Sequence, residues 1–306
     1  MSRKKKTLVS VVGPTAVGKT TMAIALARYF RTEIVSADSR QFYKEMSIGT
    51  AKPDEEELGA APHHFINSHS VDTIYSAGDF ERDALALLDT LFQQHDVVVL
   101  VGGSGLFVRA LTEGLDDLPQ APAHIRQELN DALQKDGLAS LQQRLKAIDP
   151  EHYAQMDFQN PQRVVRALEV YESTGKSIAQ YQQQKQADRS FDVITIGLNE
   201  ERETLYQRIN ERVNRMLEQG LVEEVKSLLS YKNHPALRTV GYTEIFDYLD
   251  RNSTLYAAVE KIQQNSRRYA KRQITWFKKH GNTQWFAPSD SSAIIAFLHT
   301  SGVPIP

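Results

Sequence analysis

The chain has no cysteine in its 306 residues, which excludes disulfides, thiolate nucleophiles and cysteine-ligated zinc together. It also lacks an excess of either charge. The formal net charge is −2, so the whole does not announce a nucleic-acid binder, and any such surface must be local. No stretch reaches the ~18 consecutive apolar residues of a membrane span, so no membrane partner is expected. The opening MSRKKKTLVSVVG imitates a secretion signal. Its apolar run ends at Gly13-Pro14, short of the roughly 7–15 residues of a signal core, and no small-residue cleavage site follows. It reads as a basic tail followed by a buried strand, in a chain expected to be cytoplasmic and monomeric.

Short apolar runs that end in glycine alternate with helical patterns. Residues 7–12, 33–37 and 191–198 read as strands, as does HDVVVLVGG over 95–103, while 20–30 and 79–94 read as helices. Continuous apolar strands of this kind are buried on both faces and indicate a parallel sheet in an α/β domain. The texture changes near residue 115. Pro119 and Pro122 mark the start of a stretch that reads as helices only, up to about 188. Two regions are therefore expected: a core of 1–115 with 189–306, and an inserted helical domain of 116–188. After 200 the chain reads as helical throughout, with a long segment at about 254–280, and YQQQKQ (181–186) reads as a solvated loop or helix end.

The strongest local signal is GPTAVGKT at 13–20, a full match to G-x-x-x-x-G-K-[ST] placed between a strand and a helix. Gly13 and Gly18 permit a loop whose successive backbone N–H groups face an anion. The following helix adds the positive end of its dipole. Pro14, Thr15, Ala16 and Val17 complete the cradle, Lys19 brings a cation to phosphate oxygens, and the Thr20 hydroxyl can coordinate Mg²⁺. A di- or triphosphate ligand follows. A nucleotide hydrolase usually adds an Asp at the end of a later apolar strand. Here VVVLV ends in Gly102-Gly103-Ser104-Gly105, and the strand-end acid is Asp38, in SADSRQFY.

These residues resemble the transfer RNA dimethylallyltransferase family, also called isopentenyl transferases. The likeness runs through GPTAVGKT (13–20), SADSRQFYKEMSIGTAKP (36–53), APHHFI (61–66), YSAGDFERDA (75–84), VLVGGSGLFVRAL (99–111), QNPQRVVRALEVYESTGK (159–176), LRTVGYTEI (237–245) and AKRQITWFK (270–278). It implies a P-loop nucleoside-triphosphatase-like parallel sheet core with an inserted all-helical domain. It also implies displacement of diphosphate from dimethylallyl diphosphate by N6 of adenosine 37 in tRNA, with Mg²⁺ as cofactor. An exocyclic adenine amine is a poor nucleophile, so the leaving group needs stabilisation and the N6 proton needs a base. On this resemblance residues 13–20 hold the diphosphate, Lys19 and Thr20 stabilise its departure, and Asp38 is the candidate base. An arginine from another element is expected to close over the diphosphate. Arg212 is the leading candidate, with Arg208 one helical turn before it and Arg109 as comparable alternatives. Ser104, where the family commonly has Thr, keeps the hydroxyl and could meet the base or ribose.

RNA contacts are expected in four places. Between Lys261 and Lys279 there are seven Lys or Arg and no acid, a footprint for phosphates in an otherwise acidic chain. Arg267 and Lys271, and Arg268 and Arg272, lie one turn apart, and Gln273, Trp276 and Lys278 belong to the same block. The alternative is a solvated amphipathic helix with Ile262, Tyr269, Ile274 and Phe277 partly in the core. In the insertion, Gln159, Asn160, Pro161, Gln162 and Arg163 open a helix, and Arg126 is a further candidate. The turn Arg238-Thr239-Val240-Gly241-Tyr242-Thr243 resembles the family's RNA-contacting block. Ser39, Arg40 and Gln41, beside Asp38, could contact an adenine extruded from its stack. His63, His64 and His69 fit no zinc spacing and read as ordered or core histidines. Without cysteine, the zinc finger carried by some eukaryotic relatives is not expected. Three rivals remain: an ATP-dependent small-molecule kinase, a prenyltransferase acting on free adenine nucleotides, and a non-enzymatic GTPase-like RNA-binding switch. The last lacks both the strand-end Asp and a guanine-binding Asn-Lys-x-Asp.

Overall fold

The computed structural model describes residues 6–182 and 187–305. Residues 1–5 of the basic tail, 183–186 of the glutamine-rich patch and residue 306 lie outside the described residues. The chain divides into two compact units, Met1–Glu113 with Asp188–Pro306, and Gly114–Ala187. The division thus falls between 113 and 114 and between 187 and 188.

In the first unit the elements are β1 (Thr7–Val12), α1 (Lys19–Phe30), β2 (Ile34–Ser36), α2 (Glu55–Ala60), β3 (His63–His64), α3 (Ala77–Gln94), β4 (Val97–Gly102) and α4 (Gly105–Glu113). The second unit contains α5 (Ala123–Ile148), α6 (Pro150–Gln155) and α7 (Pro161–Thr174). The first unit resumes with β5 (Asp192–Leu198), α8 (Arg202–Glu218), α9 (Leu221–Ser227), α10 (Tyr242–Leu249), α11 (Leu255–Lys279), β6 (Thr283–Phe286) and α12 (Ser291–Thr300). The strands form one parallel sheet in the order β3-β2-β4-β1-β5-β6. This is the expected P-loop-type parallel sheet core.

All six residues of β1 and all six of β4 are buried, as strands flanked on both sides and covered on both faces must be. Alternate side chains of β1 enter different cores. Val9 and Val11 join α1 and α12, whereas Leu8 and Val12 join α3 and α4. That is the period of two expected of a strand between two helical layers. A third core gathers α8, α9, α10 and the first half of α11. The single helix α11 serves all three: Ala258 and Ile262 enter the third, Ala270 the first, and Phe277 the second. Two strands escape the sequence pattern. β3 has two residues, and β6 (TQWF) is a partly exposed edge, so the expectation of helix alone after residue 200 is corrected by β6. Among the described residues no helix is long and apolar enough to cross a membrane.

The second unit packs Leu129, Leu141 and Leu145 of α5 against Val164 and Leu168 of α7, and α5 breaks at Gly137. Beside this core lies Glu169, whose side chain is 2% exposed. Its Oε1 accepts from Arg126 Nε at 2.6 Å, and its Oε2 accepts from Arg126 Nη2 and Arg166 Nη1, both at 3.1 Å. Arg166 also donates to the Pro119 carbonyl at 3.1 Å, so the carboxylate ties the start of the unit to α7. Burial alone would raise the Glu169 carboxyl pKa. The hydrogen bonds and charges of Arg126 and Arg166 outweigh it and hold the group below its usual 4.5. A depressed carboxylate contributes stability that is complete above its unfolded value and is lost as pH falls through the folded one. Glu169→Gln should therefore destabilise this unit by about 1–3 kcal/mol at pH 7. Thermal melts of variant and wild type should converge as the pH is lowered below 4.5, while a gap that stays constant with pH would remove the carboxylate from this role.

Candidate active site

Strands β1, β2 and β4 deliver their carboxyl ends side by side, where ligands of open parallel sheets bind. The loop after β1 is the phosphate-type cradle. Gly13 has φ 144°, and a Cβ there would lie 2.5 Å from the Leu198 carbonyl oxygen, so no larger residue fits the end of β1 against β5. Gly18 caps α1 with φ 101°. Lys19 folds back, its Nζ donating to the Pro14 carbonyl at 2.7 Å. By accessible area the residue is half-buried, but its ammonium is enclosed, and burial lowers its pKa to about 8. The neighbouring Arg212 charge lowers it further, and Asp38 opposes both effects.

A cleft of about 920 Å³ opens over this loop, lined by Lys19, Thr20, Asp38, Gln41, Arg208 and Arg212 among others. A second chamber of about 300 Å³ adds Ser39, Arg40, Thr239, Val240, Gly241 and Ser266. Thr15, Asp38, Arg212 and Tyr269 line both, so they stand where the chambers meet. Arg212 donates from Nη1 to Thr15 Oγ1 at 3.2 Å and from Nη2 to the Ala51 carbonyl at 3.5 Å. Its burial holds its pKa below the ordinary guanidinium value, against the pull of Asp38. Asp38 Oδ1 accepts the Arg40 N–H at 3.0 Å, which makes it a turn cap as well as a cleft residue.

The remaining expected residues take varied places. Ser104 is buried; its Oγ accepts the Ser39 N–H at 3.0 Å and donates to Ser39 Oγ at 3.1 Å. Gln41 spends its amide N–H groups on the Thr50 and Ala51 carbonyls, each at 3.1 Å. Arg208 lines the cleft but pairs with Glu200 at 3.3 Å. Arg109 is not brought to the cleft: it pairs with Glu113 on its own helix at 3.1 Å. Tyr242, expected at RNA, is fully buried and donates its hydroxyl to Glu224 at 2.6 Å, because a ring on the inner face of α10 belongs to the third core. The rest of that turn is more open, with Arg238 and Thr243 exposed and Thr239 and Val240 at the second chamber.

Gln273, also expected at RNA, is only 5% exposed. Its Oε1 accepts the Thr15 N–H at 2.8 Å and its Nε2 donates to the Gly103 carbonyl at 2.9 Å, so it braces the phosphate loop against the end of β4. The signal was present in the sequence, as a polar residue on the buried stripe of α11 that includes Ile262, Ala270 and Phe277. On the opposite face Lys261, Arg268, Lys271, Arg272, Lys278 and Lys279 are exposed. Arg267 is half-buried and donates to Asn210 at 2.6 Å. Trp276 is half-buried too, its indole so close to Gly105 that a Cβ there would lie 2.2 Å from its Nε1.

In the second unit Arg126 is half-exposed but already forked on Glu169. Asn160 caps α7 by accepting the Gln162 N–H at 3.0 Å and the Arg163 N–H at 3.4 Å. Gln159, Pro161, Gln162 and Arg163 are exposed, the last 3.4 Å from Asp157. Of the histidines, His63 bonds the Ala61 carbonyl at 2.8 Å and His64 bonds Glu33 at 2.5 Å. Tyr269, read from the sequence as an aromatic of the basic helix or as partly in the core, stands instead where the chambers meet. Its hydroxyl bonds Ser104, and burial, with Asp38 adding, pushes its pKa up to about 12.

The sequence model described as IPP transferase matches residues 41–280. The chain is 50% identical over 285 residues to a tRNA dimethylallyltransferase of Christiangramia forsetii, covering 93% of this chain and 94% of that one. It is similar to the crystal structure of a full-length tRNA isopentenylpyrophosphate transferase from Bacillus halodurans, with TM-score 0.72, 36% identity and coverage of 98% and 97%. A eukaryotic dimethylallyltransferase acting on tRNA superposes with TM-score 0.80 at 26% identity, covering 98% of this chain and 81% of that one.

The lowered Lys19 gives the site a proton signature. With a pKa of about 8 the free site is half-protonated at pH 8, and a bound diphosphate favours the charged form. Binding of inorganic diphosphate at pH 8 should take up about 0.5 proton more in the wild type than in Lys19→Arg, whose charge is fixed. The excess should vanish near pH 6, where Lys19 is already charged. Calorimetry in buffers of different ionisation enthalpy measures it, and equal uptake by both proteins at pH 8 would contradict the assignment.

Proposed function

This chain belongs to the IPP transferase family, is a prenyltransferase acting on tRNA, and from that premise we propose how its two chambers divide the reaction. The donor is dimethylallyl diphosphate, held in the larger chamber, and the acceptor is N6 of adenosine 37, presented from the smaller one. The observation that carries this reading is that Asp38 and Arg212 line both chambers. A base and a leaving-group cation at the junction are what a displacement between two separately bound substrates requires.

Backbone groups of residues 13–18, Lys19 and Arg212 bind the diphosphate and stabilise the charge that develops on it. The allylic C1–O bond breaks with its electron pair going to diphosphate. The N6 lone pair forms the new N–C1 bond, and the N6 proton passes to the Asp38 carboxylate. Ser104 acts by fixing Ser39 beside that carboxylate, and Arg40 and Gly241, at the smaller chamber, are placed to meet the extruded base. Among the described residues no group of three or more His, Asp or Glu forms a metal cage. Thr20 at the cleft would hold Mg²⁺, which would supply positive charge beside the departing diphosphate. The exposed basic face of α11 and the exposed start of α7 bind RNA phosphates and bases. With tRNA as acceptor, the enzyme works in the cytoplasm.

The test is incubation with labelled dimethylallyl diphosphate, Mg²⁺ and either unmodified tRNA or AMP. Label should enter tRNA alone; label in AMP would replace the acceptor, and label in neither would overturn the reading. In the same assay Asp38→Ala should lower turnover by about 10²–10⁴-fold with RNA affinity nearly unchanged, and near-normal turnover would remove Asp38 as base. Replacing Arg268 and Arg272 together by Gln should weaken tRNA binding and reduce the slope of log affinity against log salt by about 1.5–2. An unchanged slope would assign both arginines to the fold.

A further inference from the structure

The loop at residues 46–52 meets a carboxylate that neither chamber uses. Glu224 of α9 accepts the backbone N–H groups of Ser47 at 2.9 Å, Ile48 at 2.7 Å and Gly49 at 2.9 Å. Its Oε1 also accepts the buried Tyr242 hydroxyl at 2.6 Å. Three successive N–H groups converging on one anion form the kind of concavity that elsewhere binds phosphate. The packing around it is tight, since a Cβ at Gly49 would lie 2.5 Å from the Tyr242 ring. Charge-assisted bonds of this number are worth more than their neutral counterparts and fix the peptide planes that make them.

The opposite face of those residues is turned to the cleft. The Thr50 and Ala51 carbonyls receive the Gln41 amide, and Ala51, at φ 48°, also receives Arg212. Arg212 has two acceptors, Thr15 Oγ1 and the Ala51 carbonyl. One of its two fixed points is therefore only two residues beyond the N–H groups that Glu224 holds.

We propose that Glu224 is a positioning residue for the transfer reaction, an internal carboxylate that fills the anion nest of the 47–49 segment and so holds Arg212 over the diphosphate. This rests on the role of Arg212 at the donor. Glu224 lines neither chamber and touches no substrate; it acts through the loop. Gly49, Thr50, Ala51 and Arg212 also line the smaller chamber, but Arg212 donates to Thr15 of the phosphate loop, and the exposed basic face of α11 proposed to grip tRNA is built from other residues, so the larger effect falls on the donor.

Steady-state kinetics with each substrate varied in turn test this. Glu224→Ala should raise KM for dimethylallyl diphosphate by about tenfold or more, through a displaced guanidinium, and leave KM for tRNA within about twofold. The emptied nest should accept a small carboxylate, so millimolar formate should restore the donor KM of Glu224→Ala. Formate should not help Glu224→Gln, whose side chain still fills the space but sets an amide N–H against the backbone donors. Glu223→Gln, exposed on the same helix, should behave as wild type. Should Glu224→Ala be unfolded at the assay temperature, Glu224→Gln carries the same comparison of the two KM values. A donor KM equal to that of wild type would overturn the proposal. So would a parallel rise of both KM values without a response to formate. If the wild type itself moves no label to tRNA, the functional reading fails instead, and the two failures are told apart by that control.

Discussion

Among the charged groups that line the cleft, Lys19 and Arg212 carry their charge against burial, and the support Asp38 gives to both is the interaction around which the site is arranged. Lys19 and Arg212 each have their pKa lowered by burial; Arg212 further opposes the charge on Lys19, and Asp38 alone supports both. Without a ligand, burial disfavours the charges on Lys19 and Arg212. An anion between them favours both charges, and the more negative it becomes, the stronger that attraction. Diphosphate gains charge as its bond to carbon breaks, so the same arrangement binds the departing state more strongly than the bound donor. In the proposed mechanism Asp38 also receives a proton, which removes the carboxylate that supports both cations just as the new anion forms.

Holding like charges together needs rigid support, and it comes from satisfied polar groups behind the lining. Gln273 joins the phosphate loop to the end of β4. Ser104 joins β4 to the segment after β2 through Ser39. Glu224 fastens the 47–49 segment. Two of the lining supports come from α11, where Tyr269 and Gln273 point inward while Arg268 and Arg272 are exposed. One helix therefore both braces the donor cradle and carries the basic face proposed for the acceptor, which ties the positions of the two substrates to a single rigid element.

The sheet was legible because its inner strands are continuous apolar runs, and burial on both faces leaves no other pattern. β3 and β6 were not, since two residues or a half-exposed edge bury too little to leave a periodic signature. The phosphate loop was legible in full, because its geometry depends on glycines at fixed spacing. Arg212 was distinguishable from Arg208 only by its partners: both lie on one face of α8, but Arg212 reaches Thr15 and Arg208 pairs with Glu200. Polar residues in motif blocks were harder. Gln273 and Tyr242 sit in stretches that resemble RNA-contacting blocks, yet both point inward and hold the fold. A motif records which residues matter without recording which way they face, and only the buried stripe of the helix separates the two.

The end of β4 accords with the proposed use of the cradle for a leaving group. A nucleotide hydrolase places an acid there, on the metal side of the phosphates. Here the strand ends in Gly102 and Gly103, and the space is taken by the neutral Gln273 amide bonded to the Gly103 carbonyl. The carboxylate lies instead after β2, at Asp38, lining the smaller chamber as well as the larger. It is well placed to take a proton from a nucleophile arriving by the other chamber. In the proposed mechanism this placement of the carboxylate, beside the acceptor and away from the end of β4, goes with a diphosphate that leaves and a carbon that is transferred.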